Sequence, residues 1–139
     1  MSEFEDQPLG FLVRGLMARL RPHAVQALRP LGLGLPEFVC MRMLSMNPGL
    51  SSAELARLGH VSPQAMNTVL HRLENARMVA RPASVASGRA LPASLTADGK
   101  ALLKRAEAAV RDADARVLAK LPASQQREFK RMLATLGPD

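Results

Sequence analysis

The side chains best suited to recognition chemistry lie between Ser62 and Asn75. At about 100° per helical residue, Gln64, Asn67, Thr68, His71 and Asn75 fall on one side, and Met66, Val69, Leu70 and Leu73 on the other. Most polar helix faces are merely solvated, and those are rich in Glu and Lys. This one offers amides, a hydroxyl and an imidazole, groups that match the donor and acceptor pattern of base edges in a major groove. Arg72 sits on its flank. From Leu55 to Leu95 five arginines (Arg57, Arg72, Arg77, Arg81, Arg89) face one acid, Glu74, an excess of +4 suited to phosphate contact.

No comparable setting exists for catalysis or metal binding. His23, His60 and His71 have no i, i+4 pairing and no adjacent carboxylate cluster, so neither a metal nor another cofactor is expected. Neither Ser-His-Asp nor Cys-His chemistry has a recognisable setting, which argues against an enzyme. The single cysteine, Cys40, cannot form an intramolecular disulfide, and between Val39 and Met41 it suits an inert core thiol better than a redox trigger.

The whole chain has 139 residues, one domain's worth, with a net charge of +7 that favours a polyanionic partner. Aromatic residues are 3%, without Trp or Tyr, which excludes the stacking platforms of single-strand binders and leaves duplex DNA. The acids Glu3, Glu5 and Asp6 are the opposite of a signal peptide's basic start, and no apolar run reaches the length of a membrane span. A cytoplasmic protein without a membrane partner is expected.

Positioning that polar face requires a helix-turn-helix, and its punctuation is present. Ser51-Ser52-Ala53-Glu54 fits a capping box, with Leu50 and Leu55 as its hydrophobic staple; Gly59 ends the helix, and Ser62-Pro63 starts the next one. Upstream, Leu9, Leu12, Val13, Leu16, Met17, Leu20, Ala24, Ala27 and Leu28 mark an amphipathic helix from Leu9 to Leu31, in which Pro22 predicts a kink or break near Arg21. A second helix opens at Pro36 and is apolar almost all round until Asn47-Pro48-Gly49, so it is expected to be buried. Downstream, small residues around Gly88 suggest a loose β-hairpin. Thr96 caps a long helix from Ala97 to Leu121, and a last helix follows Pro122. The stripes containing Leu9, Leu12, Leu16, Leu118, Phe129, Met132 and Leu136 exceed what one small domain can cover, so a homodimer is expected.

This order of elements resembles the MarR family of bacterial transcriptional regulators. The residues that carry the resemblance are Leu33-x-Leu35-Pro36-x-Phe38, Ser52-x-Glu54-Leu55-Ala56, Val61-Ser62 with Val69 and Leu73-Glu74, Val79-x-Arg81, and Arg89 ahead of Leu95-Thr96-x-x-Gly99-Lys100. The resemblance implies a mainly α winged helix-turn-helix protein. Residues 1–34 would form an N-terminal dimerisation helix, 35–95 the DNA-binding module and 96–139 the C-terminal dimerisation helices, all in one compact domain. Within the module it implies a recognition helix over 62–77 and a wing over 80–95. Ser62, Pro63, Gln64, Asn67, Thr68, His71 and Arg72 would contact DNA, supported by Arg57, Arg77, Arg81 and the wing's Arg89. The family usually has an acid followed by two arginines at the wing. Here Ser87-Gly88-Arg89 stands there, which shifts the electrostatic load to Arg57, Arg72, Arg77 and Arg81.

The resemblance further implies a site for a small anionic aromatic effector between the dimer helices and the winged helix, with Met17, Arg21, Phe38, Met41, Arg42 and Met46 as candidates. The function expected is a ligand-responsive repressor that binds a pseudo-palindromic operator as a homodimer. The alternatives are a DNA-binding regulator without a sensor and a redox sensor acting through Cys40. A protein-binding adaptor is a third, but Gln64, Asn67, Thr68 and His71 are poor apolar anchors for it.

Overall fold

The computed structural model describes residues 3–81 and 92–137. A 3-10 turn (Glu3–Asp6) precedes α1 (Leu9–Leu28), a second 3-10 turn (Arg29–Leu31), α2 (Leu35–Met46), α3 (Ser52–Leu58), α4 (Pro63–Asn75), β1 (Val79–Ala80), β2 (Ser94–Leu95), α5 (Ala97–Leu118) and α6 (Ala123–Leu136). This is the expected mainly helical architecture with a small antiparallel hairpin.

Of the kink or break expected near Arg21, the break does not occur, because α1 runs unbroken through Pro22. Proline removes the amide that would bond the carbonyl of Ala18, but both residues lie on the exposed side, where water can take that carbonyl. α1 also stops before Leu31: Gly32, at φ 71°, turns the chain, and the amide of Leu33 closes back on the Leu28 carbonyl at 3.3 Å. The second helix is not buried all round. Cys40, Met41 and Leu44 face the core, whereas Val39 is 41% and Met46 67% exposed.

Side-chain caps fix the helix-turn-helix. Ser51 Oγ accepts the Glu54 amide at 3.2 Å while Glu54 Oε1 accepts the Ser51 amide at 3.1 Å, completing the capping box. These bonds hold the Glu54 carboxyl below its usual range. At the far end of α3 it is His60, not Gly59, that adopts the left-handed conformation, at φ 53°. The Val61 amide then reaches the Ala56 carbonyl at 3.1 Å and that of His60 the Arg57 carbonyl at 3.3 Å, which is the Schellman pattern. Gly59 answers a packing need instead: an added Cβ would lie 3.3 Å from both the Leu55 carbonyl oxygen and Met43 Cε. Ser62 Oγ accepts the Ala65 amide at 3.1 Å and Pro63 occupies the first turn of α4. α4 ends in a second Schellman turn with Arg77 left-handed at φ 62° and the Met78 amide on the Leu73 carbonyl at 2.9 Å.

That turn delivers the chain into the hairpin, where Val79 pairs with Leu95 and Ala80 with Ser94. The wing's tip, including Ser87, Gly88 and Arg89, lies outside the described residues. Thr96 then joins three elements. Its Oγ1 accepts the Gly99 amide at 3.0 Å and donates to the Arg77 carbonyl at 2.7 Å, and its amide donates to the Met78 carbonyl at 3.0 Å. Gly99 lets α5 approach so closely, since a Cβ there would collide with the Met78 carbonyl oxygen. α5 ends at Leu118 rather than Leu121.

The core beneath is built from Leu28, Met41, Leu44, Leu55, Leu70 and Leu73, closed by Leu103 and Ala106 of α5. The N-terminal part of α1 and the whole of α6 remain largely uncovered by their own chain. Leu9, Phe11 and Leu12 of α1 are 65%, 65% and 45% exposed, and α6 buries no residue, with Leu136 at 74%.

Candidate nucleic-acid interface

α4 presents its polar residues in two adjoining rows. Gln64, Asn67, His71 and Asn75 are all exposed and follow one another at helical spacing. Thr68 and Arg72, one turn apart, lie on the flank instead and help line a cleft beside the helix. Thr68 Oγ1 donates to the Gln64 carbonyl at 3.1 Å, so its one proton is already used within the helix. Ser62 and Pro63 are exposed at the start of α4, where the positive end of the helix dipole favours an anion.

The arginines divide. Arg57 and Arg77 are exposed at the ends of α3 and α4. Arg81 departs from the expected phosphate contact: its side chain is 13% exposed, with Nε donating to Glu74 Oε1 at 2.8 Å and Nη2 on the same oxygen. It therefore ties the hairpin to α4 and neutralises Glu74, the one acid between Leu55 and Leu95. Arg72 Nη1 donates to Glu37 Oε1 of α2 at 3.1 Å, although the arginine side chain is 67% and the glutamate 10% exposed. Arg89 lies outside the described residues.

The cleft beside α4 measures about 720 Å³ and is walled by Arg21 and Val25 of α1, by Leu35, Pro36, Val39 and Met43 of α2, and by Ala65, Met66, Thr68, Val69 and Arg72 of α4. Apolar walls with a few placed polar groups are the usual makeup of a small-molecule site. Of the six effector candidates, only Arg21 is among its lining residues. Met41 is fully buried in the core, and Phe38 packs against that core. Arg42 points elsewhere and pairs with Glu107 at 2.5 Å. Met17 and Met46 are exposed but do not line the cleft. A signal for the actual lining was present in the i, i+4, i+8 series Leu35, Val39 and Met43, which gathers one face of α2.

Cys40 is fully buried, and burial, reinforced by the nearby Glu37 carboxylate, pushes its thiol up to about 11. A thiol so protonated is a poor nucleophile near neutral pH. Among the described residues, no three His, Cys, Asp or Glu side chains converge as a metal-ion site.

Known proteins match this arrangement over the full chain. The sequence model of the MarR family covers residues 31–90. The HTH-type transcriptional repressor Rv2887 of Mycobacterium tuberculosis is 70% identical over 139 residues, the whole of both chains. A crystal structure of the Mycobacterium tuberculosis MarR family protein Rv2887 in complex with DNA superposes with a TM-score of 0.85 at 65% identity, covering 96% of this chain and 100% of the other. The same protein in complex with salicylic acid superposes with a TM-score of 0.82 at 70% identity, covering 95% and 98%. With the capped helix-turn-helix, the hairpin and full-length identity in agreement, this chain belongs to the MarR family.

Proposed function

We propose that this protein is a homodimeric transcriptional repressor that places α4 of each protomer in adjacent major grooves of a pseudo-palindromic operator and is released by a small aromatic acid. The observation that carries the reading is the exposed row Gln64, Asn67, His71 and Asn75 on a helix capped at Ser62 and locked at Arg77. It acts by binding, with no catalytic step of its own, and in the cytoplasm; no described helix is long and apolar enough to cross a membrane.

Residues 1–34 and 96–139 supply the dimer contacts, through Leu9, Leu12 and Leu16 of α1, Leu118 at the end of α5, and Phe129, Met132 and Leu136 of α6. Two recognition helices one DNA turn apart need a rigid pair to hold them. Backbone contacts come from Arg57, Arg77 and the positive end of α4, with Arg89 reaching the minor groove. The effector occupies the cleft beside α4, its ring against Val39, Met43 and Val69 and its carboxylate toward Arg21 and Arg72. Because α1, α2 and α4 all wall that cleft, a ligand preferring a different separation of the recognition helices shifts the population away from the DNA-binding conformer. The relative's complexes with DNA and with salicylic acid support both halves of this reading.

The test is fluorescence anisotropy on an operator recovered by selection from genomic fragments, with and without salicylate. Asn67→Ala should cost about 1 to 3 kcal/mol on the operator and little on random duplex. Equal losses on both would remove the base-reading role. A chain that sediments as a monomer while still binding the operator tightly would remove the dimer.

A further inference from the structure

Arg72 stands between two clefts. On one side is the 720 Å³ cleft that also holds Arg21; on the other is a smaller one, about 340 Å³, that holds Glu37. The guanidinium currently serves the second side, with Nη1 3.1 Å from Glu37 Oε1. The two partners are unequal in freedom. Arg72 is 67% exposed, on a long side chain that can change rotamer, whereas the Glu37 side chain is 10% exposed and anchored on α2. Among the described residues, no carboxylate lines the larger cleft.

We propose that Glu37 is a built-in competitor for the effector: its carboxylate holds Arg72 away from the larger cleft and so sets how tightly that cleft binds an aromatic acid. The inference rests on the assignment of that cleft as the effector site. A ligand carboxylate that draws Arg72 across must leave Glu37 as a nearly buried charge stripped of its cation, an arrangement that proteins tolerate poorly. The pair thus raises the concentration of acid needed for release. Neutral aromatic ligands, with no claim on Arg72, escape this competition.

Titration calorimetry with salicylate and with salicylamide, on the full-length protein and on Glu37→Gln, Arg72→Gln and the double variant, tests it. Glu37→Gln should tighten salicylate by roughly two- to fivefold, the range of a partly exposed ion pair, and leave salicylamide unchanged. In the Arg72→Gln background the same change should have no effect. A gain of equal size there would mean that Glu37 acts through its general field, and no gain with Arg72 present would mean that it does not compete; either result overturns the proposal. Should Glu37→Gln fold poorly, Glu37→Asp withdraws the carboxylate by one methylene and should move salicylate affinity in the same direction. Val39→Trp, which fills the cleft, separates the two levels. If salicylate binds that variant as it binds the parent, the cleft assignment fails and this inference falls with it; if Val39→Trp abolishes binding while Glu37→Gln changes nothing, only the competitor role fails.

Discussion

Substituting Gly99 by alanine puts the junction between recognition helix, hairpin and α5 under direct test. The new Cβ would overlap the Met78 carbonyl oxygen and lie 3.0 Å from its carbon and 3.3 Å from its Cα. These are backbone atoms, so no side chain can swing aside to relieve the collision. The start of α5 must move away, and three hydrogen bonds are at risk: Thr96 amide to Met78 carbonyl at 3.0 Å, Thr96 hydroxyl to Arg77 carbonyl at 2.7 Å, and Gly99 amide to Thr96 Oγ1 at 3.0 Å. At about 1 kcal/mol net for each, the loss is about 3 kcal/mol. Alanine's better helix propensity returns about 1 kcal/mol, leaving a destabilisation of roughly 2 kcal/mol. For a chain of this length that lowers Tm by about 5 to 8 °C, read by thermal melting at fixed protein concentration because a dimer's Tm depends on it. Operator affinity should fall as well, since Arg77 and Met78 form the exit of α4. A variant as stable as the parent, or more stable by the propensity term, with unchanged operator binding would refute the close-approach argument.

Three further outcomes follow from particular contacts. Arg77→Ala should lower the salt slope of operator binding by about one unit at little cost in stability, whereas Arg81→Ala, which breaks the pair with Glu74, should lower Tm and leave the slope nearly unchanged; the reverse pattern would reassign both arginines. Cys40 titrates near 11 in the folded chain, above a thiol's ordinary 9.0, so the folded state holds its proton more tightly than the unfolded one. Its contribution is complete below about pH 9 and is lost as pH rises toward 11; Cys40→Ala should flatten that part of the stability profile, and rapid alkylation of the native thiol at pH 7 would contradict its burial. Pro22→Ala should restore the amide missing from α1 and stabilise the chain by about 1 to 3 kcal/mol in a denaturant melt; a loss of stability would show that the ring itself packs against something.

What the sequence made legible was mostly local. Capping residues act within one turn of themselves, so Ser51, Glu54, Ser62 and Thr96 could be assigned from spacing alone, and each makes its expected bond. The apolar period placed α4's buried face correctly for the same reason. The failures lie where a local rule meets its surroundings. Pro22 signals a break, yet at an exposed position water can satisfy the carbonyl it frees. Gly59 ends α3 as its position indicated, but the left-handed conformation of the turn falls one residue later, at His60. α2 was apolar all round, and periodicity cannot rank the faces of such a helix. The core took Met41, and Val39 with Met43 was left to the cleft.

The same division explains which charges could be assigned in advance. A count of arginines from Leu55 to Leu95 treats every guanidinium as available to phosphate, but availability depends on partners distant in sequence. Glu37 lies 35 residues from Arg72, and no periodicity connects them. Glu74 and Arg81 are only 7 apart, but the left-handed turn at Arg77 reverses the chain between them, so their meeting depends on a backbone conformation unusual for a side chain of that type. Once these two pairs are formed, Arg57 and Arg77 remain as exposed cations of the described module without an acidic partner in its ion pairs, and Arg72 becomes a divided one. Its place on the flank of α4, one turn from Thr68 and lining the cleft, makes it the point where, in the proposed function, effector chemistry and DNA chemistry would share a side chain. In the proposed function a guanidinium so placed would not serve a buried glutamate, a ligand carboxylate and a phosphate at full strength together, so the helix proposed to read the operator is also the one through which a bound acid would weaken it.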